Sequence, residues 1–325
     1  MGKVIIGVHG LGNKPVANLM ELWWWKAISE GLKNHTKNRY HKPVFKMVYW
    51  ADVIYDHPKD ANCTDPDNPY YISEPYEPET FPVEMKDHSL RRKIMDSIVE
   101  EINKIFLNDD YSLNFTAIND LIIENYFKDL DAYYSDKIDG KFQPVKETLR
   151  ARLKSVLIEH KDDEVLLIAH SMGSIIAFDV LALFEDEVQI DTFVTIGSPL
   201  GLPVVVSKIA NELKLKNHKT GKLGAPASIK NFWYNFADLE DRVALNYKLN
   251  DDFVESTNGI IVNDFVVTNT YVSNKIHNPH KSYGYLRTPE LAEKIYQFLN
   301  KKRLPLYYRI WRSIQKLFLT TKTLQ

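Results

Sequence analysis

Residues 165–177, Val-Leu-Leu-Ile-Ala-His-Ser-Met-Gly-Ser-Ile-Ile-Ala, constrain this chain more than any other stretch. An apolar run runs straight into a small-x-Ser-x-Gly turn and then into a helix-period segment. A chain that reverses so sharply needs small residues beside the turn, and Ala169 and Gly173 supply them. Held at the tip of such a turn, the Ser171 hydroxyl stands clear of the sheet. The helix that follows aims its free N–H groups at any oxyanion formed beside the serine. Ala169 stands where such turns usually carry their first glycine. The motif alone is common by chance; placed between a strand and a helix it is much more specific.

The rest of the chain supports a sheet around that turn. Apolar runs at 3–8, 44–50, 164–169, 190–196, 231–236 and 264–268 read as strands, and segments at 19–33, 144–160, 173–184, 203–213 and 289–300 have helical spacing. Such alternation predicts an α/β fold, a mostly parallel central sheet flanked by helices on both faces. The interval between the second and third strands is too long for a simple crossover. It opens at 52–90 with ten acidic residues against Lys59 and Lys86, six prolines and four tyrosines, which disfavours regular structure. Leu90, Ile94, Ile98, Ile102 and Ile105, then Ile118, Ile122, Tyr126 and Leu130, follow at helical spacing. The expected organisation is a core of residues 1–51 and 144–300, an insertion at 52–143 made of an acidic Pro/Tyr-rich loop and a helical cap, and a tail at 301–325. The acidic loop fits a solvated surface segment and a site-lining one equally well.

The tail carries seven basic residues and no acidic one. Ile310, Trp311, Ile314, Leu317 and Phe318 share one helical face, a pattern suited to docking on the acidic body of the protein or, through residues 304–325, to peripheral contact with an anionic membrane surface. The whole chain has 41 basic and 43 acidic residues, so no global excess of charge attracts nucleic acid. The lone Cys63 can form no internal disulfide, no apolar run is long enough to span a bilayer, and Met1-Gly2-Lys3 does not open a secretory signal. A cytoplasmic location is the expectation.

His9-Gly10-Leu11-Gly12-Asn13 also follows directly on a strand. A dinucleotide-binding loop would need Gly or Ala three positions after Gly12, where Pro15 stands. Gly10 instead lets the backbone approach a reacting carbonyl, so that the N–H of Leu11 joins that of Met172 as an oxyanion hole. His9 is read as structural. A serine hydroxyl also needs a base, and the base a carboxylate that fixes its tautomer. Asp238, Glu240 and Asp241 follow the strand at 231–236; Asp241, deeper in the loop, is preferred and Asp238 is the alternative acid. His277 and His280 follow the last strand. His280, just before a Ser-Tyr pair and the final helix, is the preferred base. No His-Glu-x-x-His and no paired-cysteine spacing occurs, so neither a metal nor an organic cofactor is expected. Trp23, Trp24 and Trp25 cannot all face the sheet, and a packing role between core and cap is expected of them. Gly197-Ser198-Pro199-Leu200-Gly201 reads either as a wall of the acyl pocket or as a tight turn.

These motifs resemble those of the α/β-hydrolases, and within them the lipase-like serine esterases. The resemblance rests on 8–13 (Val-His-Gly-Leu-Gly-Asn), 49–52 (Tyr-Trp-Ala-Asp), 169–173 (Ala-His-Ser-Met-Gly), 195–200 (Thr-Ile-Gly-Ser-Pro-Leu), the acid loop at 235–243 and His280-Lys-Ser-Tyr283. It covers roughly residues 3–52 and 144–300. It implies Ser171 as nucleophile, His280 as base and Asp241 as acid, with Leu11 and Met172 as oxyanion donors and His9, Gly10 and Gly173 in support. The family's acid loop often has proline after the aspartate, where this chain has Arg242, so Asp238 stays open. The implied substrate is a small-molecule or lipid ester. A membrane-associated lipase or phospholipase, an acyltransferase and a non-catalytic binding protein of the same fold are the rival readings.

Overall fold

The computed structural model describes residues 2–36, 40–79, 121–138, 140–213, 222–244 and 246–301. Six strands form the central sheet: β1 (Lys3–Val8), β2 (Val44–Val48), β3 (Glu164–His170), β4 (Ile190–Ile196), β5 (Ile229–Ala237) and β6 (Val262–Val266). Their order is β6-β5-β4-β3-β1-β2, and every neighbouring pair is parallel. Strands buried on both faces read as continuous apolar runs, which is why β1 and β3 stand out in the sequence. The last strand lies two residues earlier than its apolar run suggests, at Val262–Val266 rather than 264–268.

Successive side chains of β1 point to opposite faces and enter different cores. Ile5 packs with Trp24, Ile28 and Leu291, whereas Val4, Ile6 and Val8 pack with Leu153, Ile175 and Phe178. The first face is covered by α1 (Ala17–His35) and, later in the chain, by the short helix Ser282–Leu286 and the helix Pro289–Asn300. The second is covered by α2 (Leu121–Ser135), α3 (Val145–Glu159), α4 (Met172–Leu183) and α5 (Pro203–Leu213). Each large side chain buried fully in these layers contributes about 1.5–3 kcal/mol. Among the described residues no helix is long and apolar enough to cross a membrane.

Two parts of the expected organisation fall outside the described residues: residues 80–120, with the end of the acidic loop, the helical spacing at 90–105 and Ile118, and the tail from 302 onward, which includes the segment 304–325. Of the stretch between β2 and α3, α2 packs on the core: Leu130 and Tyr133 are buried there. The Tyr133 hydroxyl also donates to Asp179 of α4, which the Arg150 guanidinium of α3 holds at 2.5 Å, and Arg150 reaches Glu212 of α5 at 2.7 Å. One buried polar knot thus joins four helices, one of them the helix that begins beside Ser171.

The topology itself locates a crevice. From β1 the chain moves to one side, to β2, and then returns to place β3 on the other side of β1. At such a reversal the loops leaving the carboxyl ends of the two central strands diverge, and ligands bind in the gap. The loop after β1 holds residues 9–15; the turn after β3 holds Ser171.

Candidate active site

Ser171 sits between β3 and α4 with φ 52° and ψ −129°, a left-handed conformation that costs a non-glycine residue about 1–3 kcal/mol. The turn is tied down by the Ser171 N–H, which donates to the Ile196 carbonyl at the end of β4 (3.1 Å). Two glycines let the neighbouring chain come close. A Cβ on Gly10 would lie 2.7 Å from the Ser171 Cβ, and one on Gly173 would lie 2.6 Å from the His9 carbonyl oxygen. The loop after β1 therefore lies directly against the serine. The N–H groups of Leu11 and Met172 donate to no other described residue.

His280 lies in the loop after β6, and its Nε2 is 3.0 Å from the Ser171 Oγ. Its Nδ1 is 2.9 and 3.0 Å from the two carboxylate oxygens of Asp241. A carboxylate can only accept, so Nδ1 carries a proton and donates to Asp241, while Nε2 faces the serine hydroxyl. Asp241 is fully buried, and it accepts the Tyr285 hydroxyl (2.7 Å) and the Val243 N–H (2.9 Å) besides the imidazole.

Asp238 and His277, the alternatives at these two positions, are turned elsewhere. The Asp238 carboxylate accepts the N–H groups of Glu240 (2.7 Å) and Asn269 (2.6 Å), and burial pushes its pKa up. His277 bonds the Asn269 carbonyl at 2.6 Å and faces Glu240. Both shape the loops that carry Asp241 and His280.

His9 is buried, and both of its ring nitrogens are engaged with partners other than Ser171 and His280. Its Nδ1 donates to the Gly10 carbonyl (2.8 Å), its Nε2 accepts the Trp50 N–H (3.0 Å), and its ring stacks on Trp50. Burial holds its pKa down at about 3, so the ring is neutral and fixes the path of the loop after β1. Lys14 and Asp129 fix the same loop from outside, the ammonium donating to the Leu11 carbonyl and the carboxylate accepting the Gly12 N–H (2.5 Å).

Sequence reasoning missed several positioning residues. His170 donates from Nε2 to the His280 carbonyl (2.7 Å), and burial, then the neighbouring His280, lowers its pKa well below the usual value. Asn269, fully buried, clamps the loop that carries His280 by donating to the carbonyls of Pro279 and Lys281, both at 2.8 Å. Gly197, with φ 52°, lies against Asp241 and His280: a Cβ there would lie 2.9 Å from the Asp241 Oδ2 and 3.2 Å from the His280 Nδ1. The turn at 197 thus borders the Asp241–His280 pair. No local pattern distinguishes His170 or Asn269, since each acts through a tertiary approach, and the turn pattern at 197–201 does not show that Gly197 meets Asp241 and His280.

A cavity of about 360 Å³ opens beside His280 and Gly10. Leu11, Met20, Trp23, Ile72 and Tyr283 give it an apolar wall, and Lys14, Lys59, Lys281 and Glu74 a charged one. Trp23 therefore faces a cavity, while Trp24 is buried against the sheet and Trp25 packs near Phe45. The acidic segment is also part of the site's frame. Glu74 binds Lys281 (3.0 Å) and Asn278 (2.6 Å), Glu77 binds Ser273 (2.7 Å) and Glu79 binds Thr270 (2.6 Å), so residues 74–79 are fastened to the loop that holds His280.

No protein-family model matches the chain, and no curated protein is similar to it. Among solved structures it is similar to an uncharacterized protein from Bacillus cereus ATCC 10987, at 11% identity and a TM-score of 0.28, covering 93% of this chain and spanning 60% of that one. A lipase-esterase related protein from Clostridium acetobutylicum ATCC 824 is similar at 9% identity and a TM-score of 0.26, over 91% of this chain and 94% of that one.

Proposed function

We propose that this protein is a serine hydrolase of the α/β-hydrolase type that cleaves carboxylic esters through an acyl-enzyme. The observation that carries the reading is the continuous line from the Ser171 Oγ to the His280 Nε2 (3.0 Å) and from the His280 Nδ1 to Asp241 (2.9 Å), with the serine on a strained strand-to-helix turn. In this reading residues 1–51 and 144–300 are the catalytic core, and residues 52–143 form an insertion that shapes the entrance.

As the Ser171 oxygen attacks the ester carbonyl, its proton passes to the His280 Nε2. The carbonyl oxygen becomes an oxyanion, received by the N–H groups of Leu11 and Met172 at the positive end of α4. The C–O bond to the alcohol then breaks, and the alcohol leaves with the proton held on Nε2. Water repeats the sequence on the acyl-serine: its proton goes to His280, its oxygen to the acyl carbon, and the proton returns to the Ser171 Oγ as the acid departs. Throughout, Asp241 keeps the imidazole oriented and faces the positive charge that forms on it.

The test is labelling of wild type and Ser171→Ala with a fluorophosphonate probe, followed by turnover of p-nitrophenyl esters by both. Labelling confined to the wild type, and a fall in kcat/KM of about 10⁴-fold or more in the variant, is the expected result. A folded wild type that neither labels nor turns over esters would refute the assignment.

A further inference from the structure

We propose that the cavity beside His280 selects esters bearing a second, negatively charged group, and that Lys14, Lys59 and Lys281 form the subsite that receives it. This rests on the ester-hydrolase reading and adds a substrate class to it.

The argument begins with a charge count. Three ammonium groups and one carboxylate, Glu74, line the cavity. Glu74 is already committed to Lys281 at 3.0 Å and to the Asn278 amide at 2.6 Å. The other carboxylate near Lys14 is Asp129, whose oxygens accept the Gly12 N–H (2.5 Å) and the Tyr55 hydroxyl (2.7 Å), and burial pushes its pKa upward, toward the uncharged form. Lys14 itself donates to a neutral carbonyl, that of Leu11. Among the described residues Lys59 has no carboxylate partner. Its backbone pairs with the loop after β1, the Lys59 N–H donating to the Lys14 carbonyl at 2.9 Å, which holds the two side chains at the same wall.

Partly buried cations are normally paired, because desolvating a charge is costly unless an opposite charge replaces the water. Here the pairing is incomplete and the cost is visible. Burial, followed by the nearby Lys281 ammonium, pushes Lys14 down to about 7 and lowers Lys59 in the same direction. A carboxylate or phosphate on the substrate would complete the set. The apolar part of the lining, from Met20, Trp23 and Ile72, would hold the chain that separates this anion from the ester.

Two matched pairs of esters test the inference and separate the two places an anion can sit. For the acyl side the pair is p-nitrophenyl hemiglutarate against its methyl-capped analogue. For the alcohol side it is 3-acetoxybenzoate against its methyl ester. The expected result is a kcat/KM at least about tenfold higher for the anionic member of one pair, the side of the ester being given by which pair responds. In Lys59→Met the preference should shrink toward unity, and in Lys59→Glu it should reverse. Lys154→Met, which removes a surface ion pair between α3 and Glu187 of the turn after α4, should leave the preference as it is. Raising the salt from 0.05 to about 0.5 M should weaken the preference in the wild type. Hydrolysis of all four esters with no anionic preference, in a wild type that labels at Ser171, would overturn the inference and leave the hydrolase assignment standing. No hydrolysis and no labelling would overturn both.

Discussion

The Tyr285 hydroxyl stands between two aspartates: it donates to the Asp241 Oδ2 at 2.7 Å and accepts the Asp238 N–H at 2.9 Å. One buried phenol therefore links the carboxylate that faces His280 to the turn that presents it. Burial, then the charges of Asp241 and Asp238, pushes its pKa well above the usual value, so it remains a donor across the working pH range. In Tyr285→Phe the Asp238 N–H loses its acceptor and Asp241 loses a donor. Stability should fall by about 1–3 kcal/mol in a urea titration. If the phenol positions the acid, kcat falls about tenfold with KM unchanged; a purely structural role would lower stability and leave kcat alone.

The two aspartates should separate cleanly in kinetics. Asp241→Asn leaves the imidazole without a pure acceptor at Nδ1 and permits the wrong tautomer, so kcat should drop by about 10³–10⁴-fold. Asp238→Asn keeps one oxygen to accept from Glu240 or Asn269 and never touches His280, so kcat should stay within a few-fold while the melting temperature falls. A reversed pattern in steady-state kinetics of the two variants would assign the acid to Asp238.

Why one of these was hard to choose in advance is a matter of range. The runs that became β1 and β4 are buried at every position but Lys3, so their apolar content marks them at 3–8 and 190–196 without help from the rest of the chain. The turn at Ser171 is equally local, because strand, small residues and helix lie within a dozen positions. Asp238 and Asp241 share one turn and differ only in which way it directs them, and that is decided by Tyr285 and Asn269, 47 and 31 residues beyond Asp238. His277 and His280 are sorted by the same long-range clamp. The acidic segment looked alike as solvated loop or as site wall because its partners, Lys281, Ser273 and Thr270, lie about two hundred residues away in the chain.

Arg150→Met should be severely destabilising although it lies far from Ser171. The guanidinium is the cation for Asp179, which is 1% exposed, and also contacts the Tyr133 hydroxyl at 3.0 Å. Removing it leaves a carboxylate buried with a phenol for company, a loss of about 3–5 kcal/mol in chemical denaturation. The double variant Arg150→Met with Asp179→Leu, which removes both charges, should recover much of that loss. Failure to recover would mean that the pair matters through geometry rather than through the stranded charge.

Asp252 offers a pH-dependent test of the same physics. Its carboxyl accepts the Asn246 amide at 2.6 Å, and burial, with the Asp251 charge second, raises its pKa from 3.8 to about 6. The folded protein therefore holds this proton between about pH 4 and 6, where the unfolded chain has released it. Since the native state binds more protons in that window, stability contributed by this group falls as the pH rises through it, and the full penalty is present above about pH 6. Asp252→Asn removes the ionisation while an amide oxygen can still accept from Asn246. The variant should melt higher than wild type at pH 7.5, and the gap should close by about pH 4. A gap of constant size at both pH values, or a lower melting temperature at pH 7.5, would show that the Asp252 charge is not the source of the strain.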